Sequence, residues 1–431
     1  MTPTSADTSA EPCSCQTGRR GFLTGAAALA LTAATGGWTA LGELTSARVA
    51  FAEPGYTGDV LVVVSLRGGL DGLQAVVPVG DPAYALARPT IAIPASRAIQ
   101  LDSMFGLHPS LSDLLPFWQE GTFGAVHAVG QAAPTRSHFE AMDEMERAAP
   151  GSSLRSGWID RTIGASAGTS AFGATKVGGP LAGTAFMGAN PELTMQSVNA
   201  FKINAATNPT ERAKWRSALQ TLHNGAPALV GAPAQNALGV LDALSVLQDA
   251  GYTPTPGVTY PTGNSLATAL QDVARLVKAD VGLRAVAVDY GDLDMHVGQG
   301  TVDSGWMTRH LKELGSALAA FAADLGELLG RVTLITLSEF GRRVGENGSG
   351  GSDHGHGNCV LMLGGGVVGG RVHGRWPGLA APSLVDGDLA GTTDYRSILA
   401  EILEKRCGVP TGSVFPGLAA SDRPGVAIPR T

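Results

Sequence analysis

Five short apolar runs, Val60–Leu66, Phe123–Val129, Leu283–Val288, Val332–Leu337 and Cys359–Leu363, are rich in β-branched residues and bounded by glycine. Nothing else in the chain restricts its fold as much. Short, largely apolar runs of this kind suit strands buried on both faces, which is the condition of a parallel sheet covered by helices. Helical patterns with apolar residues spaced by about 3.6 positions fall between and after them, at His138–Arg147, Glu211–Leu222, Ala237–Asp249, Ser265–Ala279, Trp306–Leu329 and Tyr395–Cys407. The alternation predicts an α/β fold with a mainly parallel central sheet sandwiched between helices. Residues 150–262 are less regular, rich in Gly, Ala, Ser and Asn, and read as an insertion or cap over that sheet.

Residues 1–52 have the order of a signal peptide. A polar start leads to Arg19-Arg20 and Gly21-Phe22-Leu23, then an Ala/Leu/Thr-rich run to Ala34, and then Ala50-Phe51-Ala52, which places cleavage before Glu53. The apolar run is too short and weak to span a bilayer. The arginine pair points to the twin-arginine route, which carries proteins that fold or load a cofactor before transport. The expectation is therefore a mature chain of residues 53–431, periplasmic, cell-envelope or extracellular, with no transmembrane anchor. Within the signal, Asp7, Glu11 and Glu43 balance Arg19, Arg20 and Arg48, so the formal net charge of −7 belongs to the mature part. That sign argues against nucleic acid as a partner. Cys359 and Cys407 are the cysteines left after cleavage; they could form one disulfide, although a chain this long can bury a full core without it.

Polar groups gather where the strands end, the edge at which open α/β sheets bind ligands. The first run leads into Arg67-Gly68-Gly69-Leu70-Asp71-Gly72, the second into Pro134-Thr135-Arg136-Ser137-His138, and the third into Asp289-Tyr290-Gly291-Asp292-Leu293-Asp294-Met295-His296. The fourth leads into Ser338-Glu339-Phe340-Gly341-Arg342-Arg343, and Ser352-Asp353-His354-Gly355-His356-Gly357-Asn358 precedes the fifth. Asp294 and His296, two apart on an extended segment, point the same way, and mixed carboxylate and imidazole ligation suits zinc, manganese or iron. Histidines are scarce, 9 in all, which makes His354 and His356 beside Asp353 the most specific local signal. Ser137 has two readings. A hydroxyl at a helix N-terminus suits a nucleophile attacking an anionic ester; equally, Ser137 and Glu140 match a capping box that needs no catalysis.

Together these segments resemble the bacterial family of domain of unknown function 1501, over almost all of the mature chain and including the twin-arginine signal. That family in turn resembles the alkaline phosphatase superfamily of phosphatases, sulfatases and phosphoglycerate mutases. The resemblance implies an alkaline-phosphatase-like three-layer sandwich. It also implies Asp71 as a first metal ligand, Ser137 as nucleophile, and Asp294 with His296 as a middle ligand group. For the later group, strand order favours Glu339, leaving Phe340 where a histidine is expected, with His354 or His356 as the late histidine and Asp353 as an outer partner. The alternative is that Asp353-His354 is itself the superfamily's Asp-His pair. The sulfatase branch, which converts a cysteine, is excluded because Cys359 and Cys407 lie far along the chain from Ser137.

The function expected from these residues is an exported metal-dependent hydrolase of phosphate or sulfate esters, or a related transfer enzyme. A divalent metal, of undetermined number, would polarise the ester while Ser137 or a water on the metal attacks, with Arg136 and His138 steering the anion. The competing expectation is a non-catalytic protein on a degenerate hydrolase scaffold that binds a cell-envelope component.

Overall fold

The computed structural model describes residues 56–168, 170–204 and 208–430. The signal read at residues 1–52 lies outside them.

Among the described residues, nine strands form the main sheet. In chain order they are β1 (Val60–Leu66), β2 (Phe123–Gly130), β3 (Ala174–Val177), β4 (Leu193–Met195), β5 (Ala285–Tyr290), β6 (Val332–Leu337), β7 (Asn358–Gly364), β8 (Val372–His373) and β9 (Thr393–Asp394). Across the sheet the order is β8-β2-β7-β6-β1-β5-β3-β4, with β9 also paired to β2. Every pairing is parallel except those of β7, which runs antiparallel to both β2 and β6.

Within β1 the side chains alternate between two separate cores. Val62, Val64 and Leu66 face one, with Leu270 and Val273 of the Ser265–Lys278 helix and Leu314 and Phe321 of the Trp306–Leu325 helix. Leu61 and Val63 face the other, with Trp158 and Ile159 of the Trp158–Ala165 helix and Ile398 and Leu399 of the Tyr395–Ile402 helix. The period of two in a strand therefore divides one continuous apolar run between two helical layers, giving the predicted α/β sandwich.

Several boundaries differ from the sequence reading for physical reasons. The helix begun at Trp306 stops at Leu325, because Gly326 takes a positive φ of 54° as its C-cap, and a 3-10 stretch, Gly326–Arg331, completes the path to β6. The helix begun at Tyr395 passes at Leu403–Cys407 into a π-helical turn. Residues 150–262 are not simply laid over the sheet: they contribute β3 and β4 to its edge, and their helices Pro209–His223 and Ala228–Ala250 pack against each other. Cys359 and Cys407 are both buried free thiols, not a disulfide. No helix among the described residues is long and apolar enough to cross a membrane.

Candidate metal centre

The reversed direction of β7 positions the site. The loops that leave β1, β2, β5 and β6 emerge at their carboxyl edge, and because β7 runs the other way, the loop that enters it arrives at the same edge. These loops pack backbone against backbone. Gly68 has φ +107°, and a Cβ there would stand 2.6 Å from the nitrogen of Asp294, so the position admits only glycine.

His138 is the first residue of the helix that follows β2, with Ser137 as its N-cap. His138, Asp294 and His354 bring their ligating atoms within 4.8 Å of one another. His296 joins them: its Nε2, His354 Nε2 and Asp294 Oδ1 form a triangle with sides of 2.9, 3.0 and 3.0 Å.

The protons of these rings are fixed by what lies behind them. His296 Nδ1 faces Asp353 Oδ1 at 2.9 Å, His354 Nδ1 faces the carbonyl oxygen of Arg136 at 2.8 Å, and His138 Nδ1 faces Glu339 Oε1 at 2.8 Å. Carboxylates and carbonyls only accept, so in the neutral rings each Nδ1 carries the proton and each Nε2 presents a lone pair. Those Nε2 atoms point toward Asp294. Two of them are 2.9 Å apart with no proton between them, and the third, on His138, is buried without a hydrogen-bond partner at 3.5 Å from Asp294 Oδ2. Asp294 is anionic: burial alone would raise its pKa, but the Arg342 guanidinium that donates to it holds it down to about 2. Lone pairs converging on a carboxylate repel unless a cation lies among them, so this donor set fits a divalent metal. Nitrogen and oxygen ligands set at right angles about 2.1 Å from a cation are separated by about 3.0 Å, close to the sides of the triangle.

The residues singled out in the sequence divide accordingly. Asp294, His296 and His354 converge, and His138, expected to steer an anion, adds its imidazole to them. Glu339 and Asp353 stand behind His138 and His296 as hydrogen-bond partners. Asp353 is held below the usual carboxylate range by the hydrogen bonds from His296 and Asn347. Asp71 is not brought into the group. Its Oδ1 caps a helical turn by accepting from the nitrogen of Leu73, and its Oδ2 is 2.6 Å from Arg88 and also accepts from Gln299. His356 lies instead beside Asp388, at 3.6 Å, and burial pushes its pKa down. Phe340 packs its ring against those of His138 and His354, with centroids 4.8 and 4.6 Å away. Ser137 Oγ accepts from Glu140 N at 3.5 Å, too long for a strong cap. The Glu140 carboxylate reaches back to Thr135 Oγ1, which itself accepts from Ser137 N.

Sequence reasoning missed the residue that binds the loops together. Arg342 is 2 % exposed and donates to the carbonyls of Gly68, Gly69, Leu293 and Ser352 and to Asp294 Oδ1. Its place in Glu339-Phe340-Gly341-Arg342 was visible, but nothing local distinguishes a buried arginine from an exposed one.

The family model that matches this sequence, over residues 59–404, describes a protein of unknown function, domain of unknown function 1501. The chain belongs to that family. No curated protein matches it. Among solved structures it is similar to a protein in the alkaline phosphatase superfamily from Vibrio parahaemolyticus, with 11% identity and a TM-score of 0.32 over 79% of this chain and 68% of that one. It is also similar to the phosphonate monoester hydrolase of Agrobacterium radiobacter, with 10% identity and a TM-score of 0.35 over 85% of this chain and 79% of that one.

Proposed function

We propose that this family member is a metal-dependent hydrolase of phosphate or sulfate esters, delivered across the membrane by the twin-arginine route. One observation carries the reading: the Nε2 lone pairs of His138, His296 and His354 are turned toward the Asp294 carboxylate, each by an acceptor at its Nδ1. Such outer acceptors fix the tautomer and orientation of metal-binding imidazoles.

His138, Asp294, His296 and His354 would hold the cation, drawn from zinc, manganese and iron. When bound, the cation would supply Lewis acidity for an ester oxygen and for developing negative charge. Glu339 and Asp353 keep the protons on Nδ1 of His138 and His296. The Asp294 side chain is 45% exposed, so the group opens to solvent and substrate. Ser137 lies between Arg136 and His138, at the positive end of its helix, with its hydroxyl only weakly engaged by capping. It is the proposed nucleophile, and Arg136 supplies positive charge for an anionic ester.

The test is metal analysis of the exported protein with turnover of an aryl phosphate and an aryl sulfate before and after chelation. Near-stoichiometric metal and chelator-sensitive turnover are expected; absence of bound metal sinks the reading. One observation favours the second reading, a binding protein on a reduced hydrolase scaffold: Asp71, the acid after β1, is locked onto Arg88 and has no oxygen to offer. Bound metal without turnover of either ester would select that alternative.

A further inference from the structure

The arginines around this edge are used in two different ways. Arg88 and Arg342 are buried, and every guanidinium nitrogen is engaged. Arg88 donates from Nε to the carbonyl of Val344, from Nη1 to Asp71 and from Nη2 to the carbonyl of Arg343. Arg342 spends Nε on Gly69, Nη1 on Ser352 and Nη2 on Gly68, Leu293 and Asp294. These are structural clamps.

Arg136 and Arg343 differ. Their side chains are 39% and 41% exposed, and both grip one turn with the same edge of the guanidinium. Arg136 places Nε and Nη2 on Asp388 Oδ2 at 3.0 and 2.5 Å and Nη2 on the carbonyl of Asp386 at 3.2 Å. Arg343 places Nε on Asp388 Oδ1 at 3.2 Å and Nη2 on the same carbonyl at 2.8 Å. Nη1 of each makes no hydrogen bond among the described residues. The carboxylate of Asp388, whose side chain is wholly buried, thus holds both guanidiniums by one edge and leaves Nη1 of each exposed beside them. Elsewhere on this edge Arg67 and Lys176 are paired with Glu146 and Asp289. The two arginines also adjoin the metal centre through the backbone: the carbonyl of Arg136 meets His354 Nδ1, and the nitrogen of Arg343 donates to the carbonyl of Asp353 at 2.9 Å.

We propose that Arg136 and Arg343 form a fork for a tetrahedral oxyanion, of the phosphate or sulfate type, with Asp388 as the residue that holds both guanidiniums in place. Paired, pre-oriented guanidinium N–H groups match the oxygen edges of such an anion better than a mobile lysine does. As a grip on substrate the fork rests on the hydrolase reading; as an anion site it does not.

Inorganic phosphate is the probe. Calorimetric titration of the mature chain, as purified and again after chelation, should show phosphate binding that survives metal removal. Arg136→Gln and Arg343→Gln should each weaken it about tenfold, the cost of one charged hydrogen-bonding partner. On the unaltered chain, phosphate should slow phenylglyoxal modification of Arg136 and Arg343, read by peptide mass spectrometry, so the conclusion does not depend on the folding of a variant. Equal modification rates with and without phosphate, or binding that disappears with the metal, overturn the fork. Metal content measured on the same samples reports separately on the metal centre.

Discussion

Oε1 of Glu339 lies 2.8 Å from Nδ1 of His138 and accepts, at the same distance, the N–H of Gly68. One buried carboxylate oxygen therefore fixes a ring from the helix after β2 and a turn from the end of β1, while the other, Oε2, is buried without a hydrogen-bond partner. Asp353 orients His296 in the same manner, but its side chain is 52% exposed and its charge is screened by water.

The two partners should consequently respond unequally to loss of charge. Glu339→Gln keeps the shape but removes the charge behind His138, and metal affinity should fall roughly 10–100-fold. Asp353→Asn should fall at or below the low end of that range. Competition with a chromogenic chelator measures both. A larger loss for Asp353→Asn would reverse the assignment and make Asp353-His354 the principal pair.

Ser137→Ala separates catalysis from capping. A good serine cap contributes about 1 kcal/mol, and the 3.5 Å contact to Glu140 N implies less than that here. Turnover should vanish while the urea midpoint barely moves. Retained turnover would leave Ser137 a cap and assign the attack to water.

How much of this was legible in the sequence depends on whether neighbours in the chain are also neighbours in space. β1 and β6 were read to their end residues, because strands buried on both faces carry near-continuous apolar runs. β3 was missed because Lys176 interrupts its apolar pattern; the lysine is buried, but its ammonium is 2.6 Å from Asp289 on β5, a partner more than a hundred residues away in the chain. Asp71 was read as a ligand for the same kind of reason, since Arg88 reaches it from a separate loop. The convergence of Asp294, His296 and His354 was partly legible, but the part played by His138 was not, because it depends on the Glu339 carboxylate behind the ring.

His127 makes stability depend on pH away from the metal centre. Burial pushes its pKa from the ordinary 6.5 down to about 4, against smaller upward contributions from its bond to the Val76 carbonyl and from the Asp71 charge. Its Nδ1 accepts from Ala128 N and its Nε2 meets the Val76 carbonyl at 3.0 Å, so the folded ring is neutral. Between those two values the unfolded chain takes up a proton that the folded chain refuses, so stability falls as pH drops from 6.5 toward 4. The contribution from this ring should be about 2 kcal/mol between pH 7 and pH 5. Urea unfolding at both pH values should show His127→Gln losing that much less than the parent, whatever its absolute stability; an unchanged pH dependence would contradict the buried neutral ring.

Export can be tested independently of chemistry. Replacing Arg19-Arg20 by Lys-Lys should leave the uncut chain in the cytoplasm, because the arginine pair is the part of the address that the receptor reads. Normal secretion of that variant, followed by immunoblotting of fractions, would remove the twin-arginine assignment.

The antiparallel placement of β7 has a consequence for how such a site can change. Residues 338–357 leave the sheet at the end of β6 and return to it on the adjoining strand, where Met362, Leu363 and Gly364 pair with Ile335, Leu334 and Thr333. The excursion that carries Glu339, Asp353 and His354 thus starts and finishes on neighbouring strands at one edge, with no helix obliged to cross back over a core. Closing a longer or shorter loop between fixed ends costs little, since that cost grows only logarithmically with length. Arg342 and His354 fix most of this stretch, but at Gly348 and Gly350, where an added Cβ would meet nothing within 4 Å, insertions can lengthen the loop while the register of the strands beneath stays as it is.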